Sequence, residues 1–261
     1  MTLEEKLTQL RLTTMAQKLE TMTQEAANQN LSFAAALERL ADLELEARHG
    51  HAIERRFKFS RLPAQPTLDQ FQFTHHKSRQ QVKSRLLHLL DLDFLQQGTN
   101  VVIIGNPGVG KTFLAQILGW RACQANVRVL FTTAMEMLNH LLASQVDHSL
   151  VRKLKVYTEP TALIVDELGY LALDQQTSNL FYQVISTRHS RKRSTIITTN
   201  TPFSDWGNIL YNTTIAAAIA DRLVENSEIF LLGGESLRKV QKSPPPAAAR
   251  RWALLRRRSV R

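Results

Sequence analysis

A glycine-rich loop set between a strand and a helix restricts this chain more than any other feature. Gly105-Asn106-Pro107-Gly108-Val109-Gly110-Lys111-Thr112 has that form. Val101 to Ile104 before it are all apolar, as expected of a strand buried on both faces of a parallel sheet. Phe113 to Cys123 behind it reads as a helix that starts inside the loop. Successive N–H groups and the positive end of the helix dipole then face a phosphate. The glycines allow close approach and backbone angles that larger residues resist. Lys111 is expected at the β- and γ-phosphates and the Thr112 hydroxyl on Mg²⁺. The predicted ligand is a nucleoside triphosphate.

Two further strand tips carry chemistry. Ala162-Leu163-Ile164-Val165 is another buried-strand run and ends in Asp166-Glu167. Ligands of open α/β sheets collect at the carboxyl ends of the strands, which sets both acids beside the phosphates. Asp166 is expected to hold Mg²⁺ through its water shell, and Glu167 to polarise a water in line with the γ-phosphate. Ser194 to Thr199 forms a third run, ending in Asn200. An amide there suits orienting the attacking water or sensing the γ-phosphate. It equally suits a turn before Thr201-Pro202.

No run of about eighteen apolar residues occurs, so no membrane span is expected. The acidic, amphipathic start, Met1-Thr2-Leu3-Glu4-Glu5-Lys6, is unlike a secretory signal. Cys123 is the only cysteine, which excludes an internal disulfide and a cysteine-rich zinc site. It reads as a small buried apolar residue in a reducing, cytoplasmic setting. The net charge of +10 is concentrated at one end. Residues 1–50 carry five basic and eight acidic side chains, whereas 239–261 carry eight basic and none acidic. Pro244-Pro245-Pro246 makes that tail an extended spacer, suited to nonspecific phosphate contacts or to simple solvation.

The organisation expected is a small N-terminal helical domain (1–54), a basic and aromatic linker (55–67), an ATPase domain (68–238) and the basic tail (239–261). Leu3, Leu7, Leu10 and Met15 share one helical face, and Phe33 to Leu45 another, with Ser32 as N-cap and Gly50 as the closing residue. Arg55-Arg56-Phe57-Lys58-Phe59-Ser60-Arg61 suits nucleic-acid backbone contacts with base stacking, or phenylalanines docked on the neighbouring domain. From Leu68 onward strands and helices alternate, which means a mostly parallel, doubly wound α/β sheet. No lid domain is expected after Leu232. Arg152-Lys153-Leu154-Lys155 and Arg188 to Arg193 precede strands and are read as a basic, solvated rim. Arg222, near the end of an alanine-rich helix, could reach a neighbouring subunit's γ-phosphate or pair with Asp221 or Glu225.

Several segments resemble the IstB family. These are Asp166-Glu167-Leu168-Gly169-Tyr170-Leu171, Thr199 to Trp206, Ala216-Ala217-Ala218-Ile219-Ala220-Asp221-Arg222-Leu223 and Gly234-Glu235-Ser236-Leu237-Arg238. That family comprises AAA+ ATPases that assist bacterial insertion-sequence transposition and are relatives of DnaC-type helicase loaders. The resemblance runs from about Leu3 to Lys239. It implies a P-loop AAA+ fold binding ATP and Mg²⁺, with assembly into ATP-dependent homo-oligomers on duplex DNA. It also implies an N-terminal region that contacts a transposase. Asn200 matches the sensor-1 position, Arg222 the arginine finger, and Arg238 a late arginine that approaches nucleotide. Leu237 stands where an aromatic residue is usual, and the ending beyond Lys239 is not typical of the family. A loader that opens a replicative helicase ring is the alternative function.

Overall fold

A computed structural model describes residues 1–169, 172–234 and 236, with the backbone alone for His75. Helix α1 (Leu3–Gln9) starts under a Thr2–Glu5 capping box and is followed by α2 (Thr13–Gln29) and α3 (Phe33–Ser60). Ser32 caps α3 as expected, accepting the Ala35 N–H at 3.2 Å. The face expected to join Leu3 through Met15 is interrupted, because Arg11 takes φ 59° and Met15 belongs to α2. Met15, Met22 and Leu40 form a small core with Leu7, Leu19 and Leu43 packed against it. Leu12 offers no side-chain cap to α2. The Glu44 carboxylate of α3 does so instead, accepting the N–H of Thr14 at 2.8 Å and of Met15 at 3.1 Å.

The expected stop at Gly50 is not where α3 ends. The helix continues to Ser60 and closes at Arg61 in the left-handed conformation, just before Pro63. A glycine ends a helix where the chain turns left-handed. Gly50 stays helical, with nothing within 4 Å of its absent Cβ, at a cost of about 1 kcal/mol relative to alanine. Residues 55–60, expected in a linker, are therefore the last turns of α3. The two phenylalanines there part company. Phe57 packs edge-on against Trp120 at 5.5 Å, while Phe59 is 71% exposed.

Short turns at Leu68–Gln70 and Phe73–His75 lead into α4 (Lys77–Leu89) and α5 (Asp93–Gln96). The alternation then runs β1 (Asn100–Gly105), α6 (Lys111–Gln124), β2 (Val129–Thr133), α7 (Ala134–Val146), α8 (Leu150–Thr158) and β3 (Ala162–Leu168). It continues through α9 (Gln175–Ser190), β4 (Ser194–Thr199), α10 (Trp206–Ile209), α11 (Thr213–Val224) and β5 (Ser227–Leu232). All strand pairs are parallel, in the order β2-β3-β4-β1-β5. One face of the sheet packs Ile103 and Ile164 against Leu114 and Leu118 of α6, and the other packs Val165 and Ile197 against Leu138, Phe181 and Ile219. The expected doubly wound α/β sheet is present, and Cys123 is buried on α6.

Arg188, expected on a solvated rim, has no exposed surface. Its guanidinium donates to the carbonyls of Tyr157 and Pro160 (both 2.9 Å), Thr161 (3.3 Å) and Ser194, and to the Thr195 hydroxyl (3.0 Å). Burial pushes its pKa down to about 9. Chain segments entering parallel strands leave carbonyls that need donors, and Arg188 supplies them where α8, α9, β3 and β4 meet. Arg191 and Lys192 remain exposed. No described helix is long and apolar enough to cross a membrane. Arg238, the 239–261 tail and whatever follows Leu232 beyond Ser236 lie outside the described residues, as do Tyr170 and Leu171.

Candidate nucleotide site

The phosphate loop leaves the carboxyl end of β1 and enters α6 at Lys111. Gly108 and Gly110 take φ values of 81° and 92°, a region that side chains rarely tolerate. Gly110 is the N-cap of α6 and provides no side-chain hydrogen bond. Thr133 and Asp174, by contrast, cap α7 and α9 with their own oxygens. The first amides of α6 thus keep no side-chain acceptor at the N-cap, an arrangement that suits an anionic oxygen. The Lys111 ammonium arches over the loop, donating to the carbonyls of Gly105 at 2.7 Å and Asn106 at 2.9 Å. The Thr112 hydroxyl donates to Asp166 Oδ1 at 2.9 Å.

Asp166 and Glu167 diverge because β3 bulges between them and β4. Val165 pairs with Ile197, but the next pair is Leu168 with Thr199, so β3 carries one extra residue. Glu167 takes φ 60°, unusual for a residue with a side chain, and its N–H is held by Thr198 Oγ1 at 3.0 Å. The same Thr198 hydroxyl donates to Asp166 Oδ1. Asp166 stays buried at 4% exposure, whereas Glu167 turns outward to line the cavity beside Lys111 and Thr112. Asn200, the first residue past β4, lines that cavity too, and its Oδ1 accepts the Thr201 hydroxyl at 3.2 Å.

The cavity measures about 460 Å³ and extends past the loop to a wall that the sequence did not announce. Gln70, Phe71, Gln72 and Arg79 face Phe113 and Gln116 across it. Phe71 lies edge-on to Phe73 at 5.0 Å and within 14° of parallel to Phe113 at 6.4 Å. Flat apolar surfaces with a few polar groups suit a planar base. Neither apolar periodicity nor motif spacing marks Arg79 or Thr198; the repeated Phe71-x-Phe73 before α4 is the one local signal.

Among the described residues no group of three or more His, Cys, Asp or Glu side chains could enclose a metal. The Thr112 hydroxyl and Asp166 carboxylate, 2.9 Å apart, form a pair of hard oxygens instead. That set fits Mg²⁺, which takes one or two protein oxygens together with phosphates and water.

Arg222 lies elsewhere. Its carbonyl accepts from Asn100 Nδ2 at 3.4 Å, at the start of β1, whereas the phosphate loop begins at the other end of that strand. Five steps of ~3.3 Å between the ends of this six-residue strand separate the two by roughly 17 Å. The guanidinium donates to the Ala218 carbonyl at 2.8 Å and sits 4.9 Å over the Tyr182 ring. Glu225 pairs with His189 at 3.3 Å.

Comparison with known proteins adds independent findings. The model of a family described as IstB-like ATP binding protein matches residues 5–245. A protein named for ATP binding in insertion sequence IS5376 of Geobacillus stearothermophilus is 36% identical over 89% of this chain and 92% of its own length. Its counterpart in insertion sequence IS21 of Pseudomonas aeruginosa is 34% identical over 92% of this chain and 89% of its own. Among solved structures, the DnaC helicase loader aligns with a TM-score of 0.56 at 20% identity, covering 64% of this chain and 96% of that one. DnaI aligns with the same TM-score at 19% identity, covering 69% and 92%. At those identities the structural likeness speaks for the P-loop AAA+ fold alone.

Proposed function

The chain belongs to the IstB-like ATP binding protein family, as an ATPase of the IstB type, and on that premise we propose that it hydrolyses ATP while assembled on duplex DNA and recruits a transposase to insertion-sequence ends. One observation supports hydrolysis above others: the β3 bulge aims Glu167 into the cavity that Lys111 and Thr112 line, while Asp166 stays back against Thr112.

In this reading the phosphate loop from Gly105 to Thr112 grips the triphosphate of ATP. Thr112 and Asp166 would hold Mg²⁺, which supplies charge neutralisation at the phosphate oxygens. Glu167 accepts a proton from the attacking water, and Asn200 orients that water. Arg222 serves the neighbouring subunit of a homo-oligomer. Its placement at the far end of β1 supports that assignment, since its own phosphate loop lies a strand's length away.

The N-terminal three-helix unit is the surface proposed for the transposase. Leu3, Leu7, Leu19, Phe33 and Leu37 line an apolar groove of about 320 Å³ in which Phe33 is 83% exposed, more apolar surface than an isolated helical unit needs to leave open. Phe59, exposed beside Arg55 and Lys58 on α3, supports a DNA contact. The loader alternative draws on fold likeness at 20% identity, whereas the insertion-sequence relatives are aligned over nearly their whole length.

The test is turnover of ATP by the purified chain with and without duplex DNA, followed by capture of partners with ATP and DNA present. Turnover stimulated by duplex DNA and recovery of a transposase support the reading. Recovery of a replicative helicase, with no effect of duplex DNA, establishes the alternative.

A further inference from the structure

Arg79 is 1% exposed, yet it sits in the first turn of α4 at the wall of the nucleotide cavity. One guanidinium nitrogen donates to the Gln72 carbonyl at 3.0 Å, on the base-side turn. The other donates to the Val109 carbonyl, inside the phosphate loop. The guanidinium carbon also lies 4.6 Å over the Phe71 ring. An alanine at Gly110 would bring its Cβ within 3.0 Å of this guanidinium and 3.2 Å of Phe71, so the three groups are packed to contact. Burial lowers its basicity, and none of the ion pairs among the described residues includes it.

A buried cation without a counter-ion is a poor choice for packing alone. Val82, Leu86 and Leu89 of the same helix fill the core with apolar groups. What Arg79 offers that a leucine cannot is a planar fork able to hold two carbonyls at once while stacking on a ring. Its positive charge also adds to the field that draws a polyanion into the loop.

We propose that Arg79 is the positioning residue that ties the base-side wall at Phe71 and Gln72 to the phosphate loop at Val109, so that holding the base and gripping the phosphates are one coupled event. The proposal rests on the reading of the site as an ATP site and adds how the site reads the whole nucleotide. Lysine at this position keeps the charge and loses the bridge; glutamine loses both.

The test compares ATP with inorganic tripolyphosphate, which engages the phosphate loop and carries no base. Both are titrated into the full chain and into Arg79→Lys, Arg79→Gln and Phe71→Leu, with thermal melting confirming that each variant folds. The expected result is a loss of about tenfold or more in ATP affinity for both Arg79 variants, as for a lost hydrogen bond to a charged group. Tripolyphosphate affinity stays within about twofold in Arg79→Lys, since the positive charge is retained. Equal weakening of both ligands in Arg79→Lys overturns the coupling and leaves Arg79 as a prop for the phosphate loop. Unchanged ATP affinity overturns it as well. If Arg79→Gln does not fold, Arg79→Lys and Phe71→Leu decide the matter. Failure of the unmodified chain to bind ATP is a separate result and removes the nucleotide reading itself.

Discussion

The Thr198 hydroxyl accepts the backbone N–H of Glu167 at 3.0 Å across the β3–β4 bulge. The same hydroxyl donates to Asp166, so one oxygen sets the directions of both acids. Thr198→Val keeps the shape and removes the hydroxyl. The expected outcome is a fall of about 10–100-fold in kcat, the scale seen when outer-shell partners of a site are lost. ATP affinity is nearly unchanged, and Thr198→Ser restores turnover. Single-turnover hydrolysis beside an ATP titration checks this; full activity in Thr198→Val means the bulge holds its shape without the bond.

Glu167→Gln separates binding from chemistry. Loss of the proton-accepting carboxylate is expected to slow hydrolysis by about 10²–10⁴-fold, the usual contribution of a general base. The phosphate loop and Asp166 are untouched, so ATP is expected to stay bound, and on the proposed function the assemblies on DNA should outlast those of the parent. Lys111→Ala loses ATP binding instead. Native-gel or light-scattering lifetimes of the complexes distinguish the two, and parental turnover in Glu167→Gln removes this residue from the reaction.

Arg222→Ala tests whether sites are shared. A charge that matters as the transition state develops affects hydrolysis far more than ATP binding. Mixing Arg222→Ala with Lys111→Ala should recover some turnover, because mixed assemblies contain interfaces with an intact loop facing an intact arginine. No recovery at any ratio, with mixed oligomers verified, counts against a finger in trans. Loss of ATP binding in Arg222→Ala points to a role within the subunit, through Ala218 and Tyr182.

Acid should loosen the N-terminal helices through Glu44. The hydrogen bond from Arg48 holds its carboxyl below the ordinary value of 4.5, helped by the Met15 and Thr14 amides and opposed by burial. A carboxylate with a lowered folded pKa stabilises fully above the unfolded value and loses that effect as pH falls through the folded one. Melting followed by helix circular dichroism should therefore drop below pH 4.5 in the parent. Glu44→Gln should melt lower at neutral pH and respond less to acid. Identical acid curves for the two proteins would sink the assignment.

The phosphate loop, the acid pair and the strands that end in them and in Asn200 were readable in the chain because each depends on residues adjacent in sequence. Val101 to Thr112 contains the strand, the turn glycines and the helix start in one stretch. An apolar run bounded by a polar tip likewise located β3, since a strand buried on both faces needs few polar positions, and the β-branched Thr and Ile residues from 194 to 199 marked β4. The same locality explains the errors. Gly50 looks like a stop only until the backbone is seen to remain helical, and Phe57 and Phe59 look alike until a helix of 3.6 residues per turn sends them to different sides.

What only the tertiary structure decided involves partners distant in the chain. Arg188 reads as another charge in a basic run, because nothing nearby in sequence reveals the five oxygens waiting where α8, α9, β3 and β4 meet. Glu167 points into the cavity because β3 carries one more residue than β4 across the bulge, a mismatch that exists only once the strands pair. Arg79 reaches Val109 thirty positions away. By itself the sequence determined the strand, glycine loop and helix start of the candidate phosphate site, since those residues are contiguous and admit one local path. The cavity wall at Phe71 and Arg79 and the aim of the acids depend on long-range register and on satisfying buried polar groups, and those become definite only when the sheet and its helices close together.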